Sequence, residues 1–418
     1  MIYWTPLLHM YQPSFQDINI LREIDKECYK PLFRMLEEHD NVKISLNINA
    51  VLIEMLFEFD LRDTLELLKN LVINNKIEII GTAKFHPILP LIPQKETEHQ
   101  IEMNEEIIRR EFKNWERTGF FPPELSISSQ VAKFIRERGY KWVIMSGIAC
   151  PIEWPYDKIY TSPNGLMLFF RDDILSNKIA FNDITAKNFI EQFEQSFKEG
   201  KNEKNNDRYS ITAMDSETFG HHIKKFERTF LSKSFELIND HKEIQIEFIS
   251  NLVKHFPINK EKIIPKESSW STTYDDMKLN IPYPLWDHPD NRIHSLFWKI
   301  MRSLNNLMSL LENIDLTTDW EVERYYNTAR WFYDRGICSD TTWWANPDRG
   351  TWSPNLIYKG IELLMRSALN AQLALVHANQ SDLGEGYFDS ISFYHNLLLM
   401  ELYSRTKTIK KDRIMKSK

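Results

Sequence analysis

Short β-rich runs separated by helix-length stretches recur from the first residues to about residue 255, and this alternation constrains the fold more than any other feature. The runs fall at residues 3–10, 42–47, 77–82, 125–128, 142–146, 166–170, 209–214 and 244–250. Strands that alternate with helical segments imply βα units and a parallel sheet. Seven or eight such units predict a closed barrel in place of an open sheet.

The pattern changes near residue 290. Ile293, Leu296, Phe297, Ile300, Met301, Leu304, Met308 and Leu311 keep the i, i+3, i+4, i+7 spacing of one apolar helix face. Ser353 before Pro354 supplies an N-cap and a first-turn proline for a second long helix through Ala378. The expected organisation is an α/β barrel over residues 1–285 and a helical C-terminal domain over residues 286–418. Residues 198–208 carry no apolar side chain and read as a solvated loop.

Composition excludes several classes. No stretch has the roughly 18 uncharged apolar residues of a membrane span, and the first residues read as a strand, not as a signal peptide. A formal net charge of −7 leaves no basic footprint for nucleic acid, although Lys and Arg collect after Tyr403. Cys28, Cys150 and Cys338 are odd in number and far apart, which predicts reduced thiols in a cytoplasmic protein, with neither a disulfide framework nor a zinc knuckle. Aromatic residues make up 13% of the chain, and several of the 12 Trp fall in polar loops, where they offer platforms for sugars.

In a βα barrel the chemistry sits at the C-terminal strand ends. There the chain places His9-Met-Tyr11-Gln-Pro, Phe85-His86-Pro87, Arg171-Asp172-Asp173 and Asp215-Ser-Glu217, while Glu124 follows Pro122-Pro123. Pro87, Pro90 and Pro93 fix the loop after His86. Glu124 and Asp215 facing each other across a barrel mouth could be the nucleophile and acid/base of glycoside cleavage, which in retaining enzymes stand about 5–5.5 Å apart. Taken singly, a Glu after prolines also reads as a surface loop residue, and an Asp after a strand as a helix N-cap. Arg171, Asp172 and Asp173 read as a structural ion-pair cluster.

In order along the chain, Leu-Leu-His9-Met-Tyr-Gln-Pro, Gly81-Thr-Ala-Lys-Phe-His86-Pro, Gly119-Phe-Phe-Pro-Pro-Glu124 and Met-Asp215-Ser-Glu217-Thr-Phe-Gly220-His-His resemble the first four motifs of glycoside hydrolase family 57. Ser268-Ser269-Trp270 and Ser339-Asp340 with Trp343 extend the resemblance to about residue 344. It implies a distorted (β/α)7-type barrel with a helical domain contributing to the active-site cleft. It also implies a retaining hydrolase or transglycosylase acting on α-glucans such as starch, glycogen or maltooligosaccharides. Glu124 matches the nucleophile and Asp215 the acid/base. The expected substrate-binding residues are His9, His86, Glu217, His221, Trp270, Asp340 and Trp343, with no metal and no cofactor. The chain departs from the family at Tyr11, where a second His is usual, at Phe-Pro-Pro-Glu in place of Trp-Leu-Pro-Glu, and at Ser271 in place of Gly.

Two other readings stay open at this point. The Tyr11 and Ser271 departures suit a non-catalytic sugar-binding member of the same fold. A metal-dependent polysaccharide deacetylase or mannosidase-like enzyme would use His9, His86 and Asp215 as ligands. His221 and His222 are adjacent, so on a helix they point about 100° apart and cannot easily grip one ion together. Oligomeric state has no signature in the sequence.

Overall fold

The computed structural model describes residues 1–198, 207–316 and 319–416, so the expected loop at 198–208 lies almost wholly outside the described residues. The chain divides into two compact units, Met1–Thr273 and Tyr274–Lys418, with the division ahead of the expected residue 285.

The first unit contains β1 (Ile2–Met10), β2 (Ile44–Ile48), β3 (Ile77–Ile80), β4 (Gly119–Phe120), β5 (Trp142–Met145), β6 (Ile159–Thr161), β7 (Met167–Phe170), β8 (Arg208–Asp215), β9 (Ile244–Ile246) and β10 (Ile258–Lys262). Parallel ladders run β3-β2-β1-β8 and β7-β5-β4. Two single parallel bridges, Gly81 to Phe120 and Arg171 to Ile211, join these ladders at both seams. The circuit β1-β2-β3-β4-β5-β7-β8 therefore closes on seven parallel strands. Each seam is closed by a single bridge.

Side chains alternate across each strand with a period of two. Tyr3 and Leu7 of β1, Ile144 of β5, Phe169 of β7, and Tyr209, Ile211 and Ala213 of β8 form the inner core. Trp4, Leu8 and Met10 of β1, Ile44, Leu46 and Ile48 of β2, and Met214 of β8 belong to a second core shared with the surrounding helices. β1 is buried along its whole length, as a strand covered on both faces must be.

The expected strand at residues 125–128 is not formed. Pro123–Leu125 makes a 3₁₀ turn, and Ile127 keeps only a single antiparallel bridge to Ser268. The strand at that position is the two-residue β4, which Pro122 and Pro123 stop from continuing. The run at 244–250 is also shorter, because β9 gives way to a 3₁₀ helix at Ile249–Lys254. β6 and β10 were not expected: β10 is Ile-Asn-Lys-Glu-Lys, largely exposed, and carries no apolar signal.

The second unit is mainly helical. Helix Arg292–Leu311 buries Ile293, Leu296, Phe297, Ile300, Met301, Leu304, Met308 and Leu311, the whole face read from the sequence. It runs against Ser381–Lys416, and Trp320–Gly336 runs against Pro354–His377. Ser353 caps the latter by accepting from Leu356 N, with Pro354 at its first turn. Ala345–Asn346 and Thr351–Trp352 form a small hairpin around Pro347–Arg349.

No described helix is long and apolar enough to cross a membrane.

Candidate active site

Three strand ends bring polar residues into one row. His9 of β1 is in register with Asn47 of β2 on one side and with Asp215 of β8 on the other. The outward residues Leu8, Leu46 and Met214 leave His9, Asn47 and Asp215 directed inward, at the C-terminal end of the barrel. His9 Nδ1 lies 2.5 Å from Asn47 Oδ1. An acceptor there fixes the proton on Nδ1 and leaves Nε2 facing away as an acceptor. Burial pushes His9 down to about 4, so the ring is neutral.

His9 is one member of a column of rings. Tyr11 stacks on His86 at 4.2 Å, His86 on His9 at 4.9 Å, and His9 on Phe121 at 4.7 Å. Trp270 meets His9 edge-on at 5.9 Å. Burial holds His86 well below the usual imidazole range. Tyr11, which departs from the family motif, is thus the outer ring of the column.

Glu124 is held beside it. Trp270 Nε1–H donates to Glu124 Oε2 at 2.8 Å, and His86 Nδ1 stands 3.6 Å from Oε1. The Trp270 backbone N–H also donates to the Glu124 carbonyl at 3.1 Å. His86 and Glu124 both adopt left-handed backbone, with φ of 57° and 59°. For a residue with a Cβ that conformation costs on the order of 1–2 kcal/mol, and such strain concentrates where function requires it.

Asp215 ends β8 partly buried. Loss of water pushes its carboxyl up to about 6, against an opposing pull from Arg171. Arg171 is itself fixed: it donates to the Ala213 carbonyl and Asp173 Oδ1 at 2.7 Å and to Asn177 Oδ1 at 2.8 Å. Asp172 caps the following helix by accepting from Leu175 N. The expected structural cluster is present, and its cation also acts on Asp215.

Glu217 is buried in the turn Ser216–Thr218. Its Oε1 accepts from Gln12 Nε2 at 2.9 Å and from the Tyr29 hydroxyl. Burial, then the Asp215 charge, push it up to about 7, while those donors act the other way. His221 pairs with Glu27 at 2.9 Å. Asp340 and Trp343 belong to the second unit, where they begin and end a short helix, and Trp343 meets Trp344 edge-on at 4.7 Å.

The first unit therefore gathers His9, His86, Glu124 and Trp270 through direct contacts, with Asp215 on the next strand and Glu217 just beyond it. Sequence reasoning gave no role to Asn47, Phe121, Gln12 or Tyr29. Asn47 was legible as the one polar residue after the alternating Ile-Ser-Leu of β2, whereas nothing local marks Tyr29. Among the described residues, one group of three His, Asp or Glu side chains has ligand atoms near enough to share an ion: Asp319, Glu321 and His377, in the second unit. His377 ends one helix and the acids begin another, an arrangement that the helix dipoles alone favour.

A carboxylate held by a donor has the chemistry of a nucleophile, and a carboxyl whose proton affinity burial raises has the chemistry of a proton donor.

The sequence profile of Glycosyl hydrolase family 57 matches residues 4–266. The chain is 25% identical over 291 residues to an alpha-amylase of Pyrococcus horikoshii, covering 65% of this chain and 44% of that protein. It is 23% identical over 295 residues to a 4-alpha-glucanotransferase of Thermococcus litoralis, covering 66% and 43%. It thus spans less than half the length of these curated relatives. Among solved structures, a GH57-type branching enzyme of Pyrococcus horikoshii superposes with a TM-score of 0.74 over 96% of both chains, at 15% identity.

Proposed function

The chain belongs to glycosyl hydrolase family 57, and from that premise we propose that it breaks glycosidic bonds of α-glucans by double displacement, with retention at the anomeric carbon. Glu124 attacks the anomeric carbon and forms a glycosyl ester. Asp215 protonates the departing oxygen, then takes a proton from water or from a sugar hydroxyl as that acceptor releases the ester. The observation that carries this reading is the contrast between the two carboxyl groups: Trp270 and His86 fix Glu124, while burial raises the proton affinity of Asp215. The names of the relatives, alpha-amylase and 4-alpha-glucanotransferase, support an α-glucan as substrate. His9, His86 and Trp270 line the sugar site in this reading, and the neutral His9 offers Nε2 to a sugar hydroxyl. Glu217, held by Gln12 and Tyr29, and His221, paired with Glu27, are with Asp340 and Trp343 proposed to bind substrate on their motif match alone. The three free, buried cysteines fit a reducing, cytoplasmic setting.

The test is incubation of the purified protein with maltooligosaccharides of defined length, with products resolved by size. Shorter products alone identify a hydrolase, and longer together with shorter ones identify a transferase. No change with any α-glucan, at protein concentrations near that of the substrate, would refute the proposal.

A further inference from the structure

Asn47 stands one residue from the end of β2 and Asn49 just beyond it, and both side chains are fully buried. Asn47 is the cross-strand partner of His9, and its Oδ1 meets His9 Nδ1 at 2.5 Å. That is the one hydrogen bond of the His9 ring among the described residues. Asn47 Nδ2 finds no partner among them.

Asn49 shows how Asn47 is held in place. Its backbone N–H donates to the Met10 carbonyl at 3.2 Å, which ties the end of β2 to the end of β1. Its Nδ2 donates to the Ala83 carbonyl at 2.6 Å, in the loop that leads to His86. The next backbone N–H, that of Ala50, donates to Asn104 Oδ1 at 2.8 Å. Asn47 thus sits in a segment fixed on both flanks, and an acceptor so fixed orients its partner without reorganising.

A buried amide with an unmade donor is costly, and a valine or leucine would suit β2 better if packing were the only demand. The acceptor is what the position retains. Resting on the reading of His9 as a sugar contact, we propose that Asn47 is a positioning residue for substrate binding: it accepts from His9 Nδ1–H and so reserves Nε2 as an acceptor for a sugar hydroxyl. With Nδ1 bonded inside the sheet, Nε2 is the ring nitrogen left for a ligand. Without Asn47 the proton moves to Nε2, because a donor on Nδ1 would then be buried and unmade. A hydroxyl can still meet that ring by reversing its part, so the loss is a weakening of binding and not its abolition.

Histidine ¹⁵N signals of the full chain, assigned to His9 by comparison with His9→Gln, report the tautomer directly. Wild type should carry the proton on Nδ1, and Asn47→Leu should move it to Nε2. Asn47→Asp keeps an acceptor in place and should leave the proton on Nδ1. A proton on Nε2 in wild type, or one that stays on Nδ1 in Asn47→Leu, overturns the proposal. The wild-type measurement needs no variant to fold, and Asn47→Thr, a good strand former with a shorter side chain, repeats the substitution if Asn47→Leu does not fold.

With maltooligosaccharides as substrate, Asn47→Leu should raise KM roughly fivefold and leave kcat within about twofold, the mark of binding lost equally from ground and transition states. A merely structural role would lower kcat through a smaller folded fraction, with KM and the tautomer unmoved. If wild type shows no turnover, maltotriose binding followed by titration calorimetry takes the place of KM. Weaker binding by Asn47→Leu would then uphold the positioning role while the reaction assignment fails, and no binding by wild type would overturn both. An affinity unchanged after the proton has moved to Nε2 overturns the role whatever the activity.

Discussion

His86 Nδ1 lies 3.6 Å from Glu124 Oε1, and these two residues, 38 positions apart on separate loops, both carry left-handed backbone. Each loop is pinned by proline, Pro87 after the first and Pro122-Pro123 before the second. Left-handed backbone also occurs at other described residues, Leu125 beside Glu124 among them, but at His86 and Glu124 it falls where two polar side chains converge.

That strain is measurable. Glu124→Ala and Glu124→Gly lose the same contacts to Trp270 and His86, but only Ala retains a Cβ at φ 59°. We expect Glu124→Gly to be more stable than Glu124→Ala by about 1 kcal/mol in urea unfolding, despite the greater freedom of glycine in the unfolded chain. Equal stabilities, or Ala above Gly, would show that the backbone there is not strained.

Burial of Asp215 predicts a pH dependence of stability. Its folded-state pKa, about 6, lies above the ordinary carboxyl value of 3.8. Between those values the folded state binds the proton that the unfolded state releases, so stability falls as pH rises. The favourable contribution is complete below about pH 4 and lost above about pH 6. Asp215→Asn removes the charge, so it should exceed wild type in stability by on the order of 2 kcal/mol at pH 8, with the advantage vanishing near pH 4. Denaturant titrations across that range check it. A pH-independent difference would mean that Asp215 is solvated.

How much of this was legible beforehand varied with the kind of signal. The barrel and the long amphipathic helix were readable because period 2 and period 3.6 are imposed by burial along one element. β4 was not, since two residues before a proline pair carry too short a pattern, and the expected strand was displaced onto residues 125–128. Glu124 and His86 were marked by the prolines beside them. Tyr29 lies in an amphipathic helix and looks like core from the sequence. Its contact with Glu217 spans 188 positions and depends on a π turn, which leaves no periodic trace.

The packing of the π-helical turn Asp25–Tyr29 against the loop after β8 also predicts a sharp difference between two glycines. Gly220 has φ +139° and would place a Cβ 2.1 Å from a backbone oxygen, whereas Gly165 has φ +82° with nothing within 4 Å. Gly165→Ala carries only the conformational cost, roughly 1 kcal/mol. Gly220→Ala must also push the turn Asp25–Tyr29 off the loop, and should cost roughly 3 kcal/mol or more together with most of the activity. Comparable losses of thermal stability in the two variants would show that the turn is not held against the loop.

The assignment of the two carboxyl groups has the most direct consequence. Glu124→Gln keeps the shape and the Trp270 contact but removes the attacking charge, so turnover should fall by several orders of magnitude while sugar binding survives. In Glu124→Gly the vacated space admits azide, which attacks the anomeric carbon from the side Glu124 occupied, breaks the bond to the leaving oxygen in one displacement, and gives a glycosyl azide of inverted configuration. Asp215→Ala leaves the nucleophile in place, so substrates whose leaving group needs no proton still form the glycosyl ester. Azide then displaces Glu124 from that ester, and the second inversion restores the starting configuration. The two variants, given the same activated substrate and the same anion, should yield products of opposite anomeric configuration, distinguishable by the coupling constant of the anomeric proton. The same anomer from both, or full wild-type turnover in either, would overturn the roles given to Glu124 and Asp215.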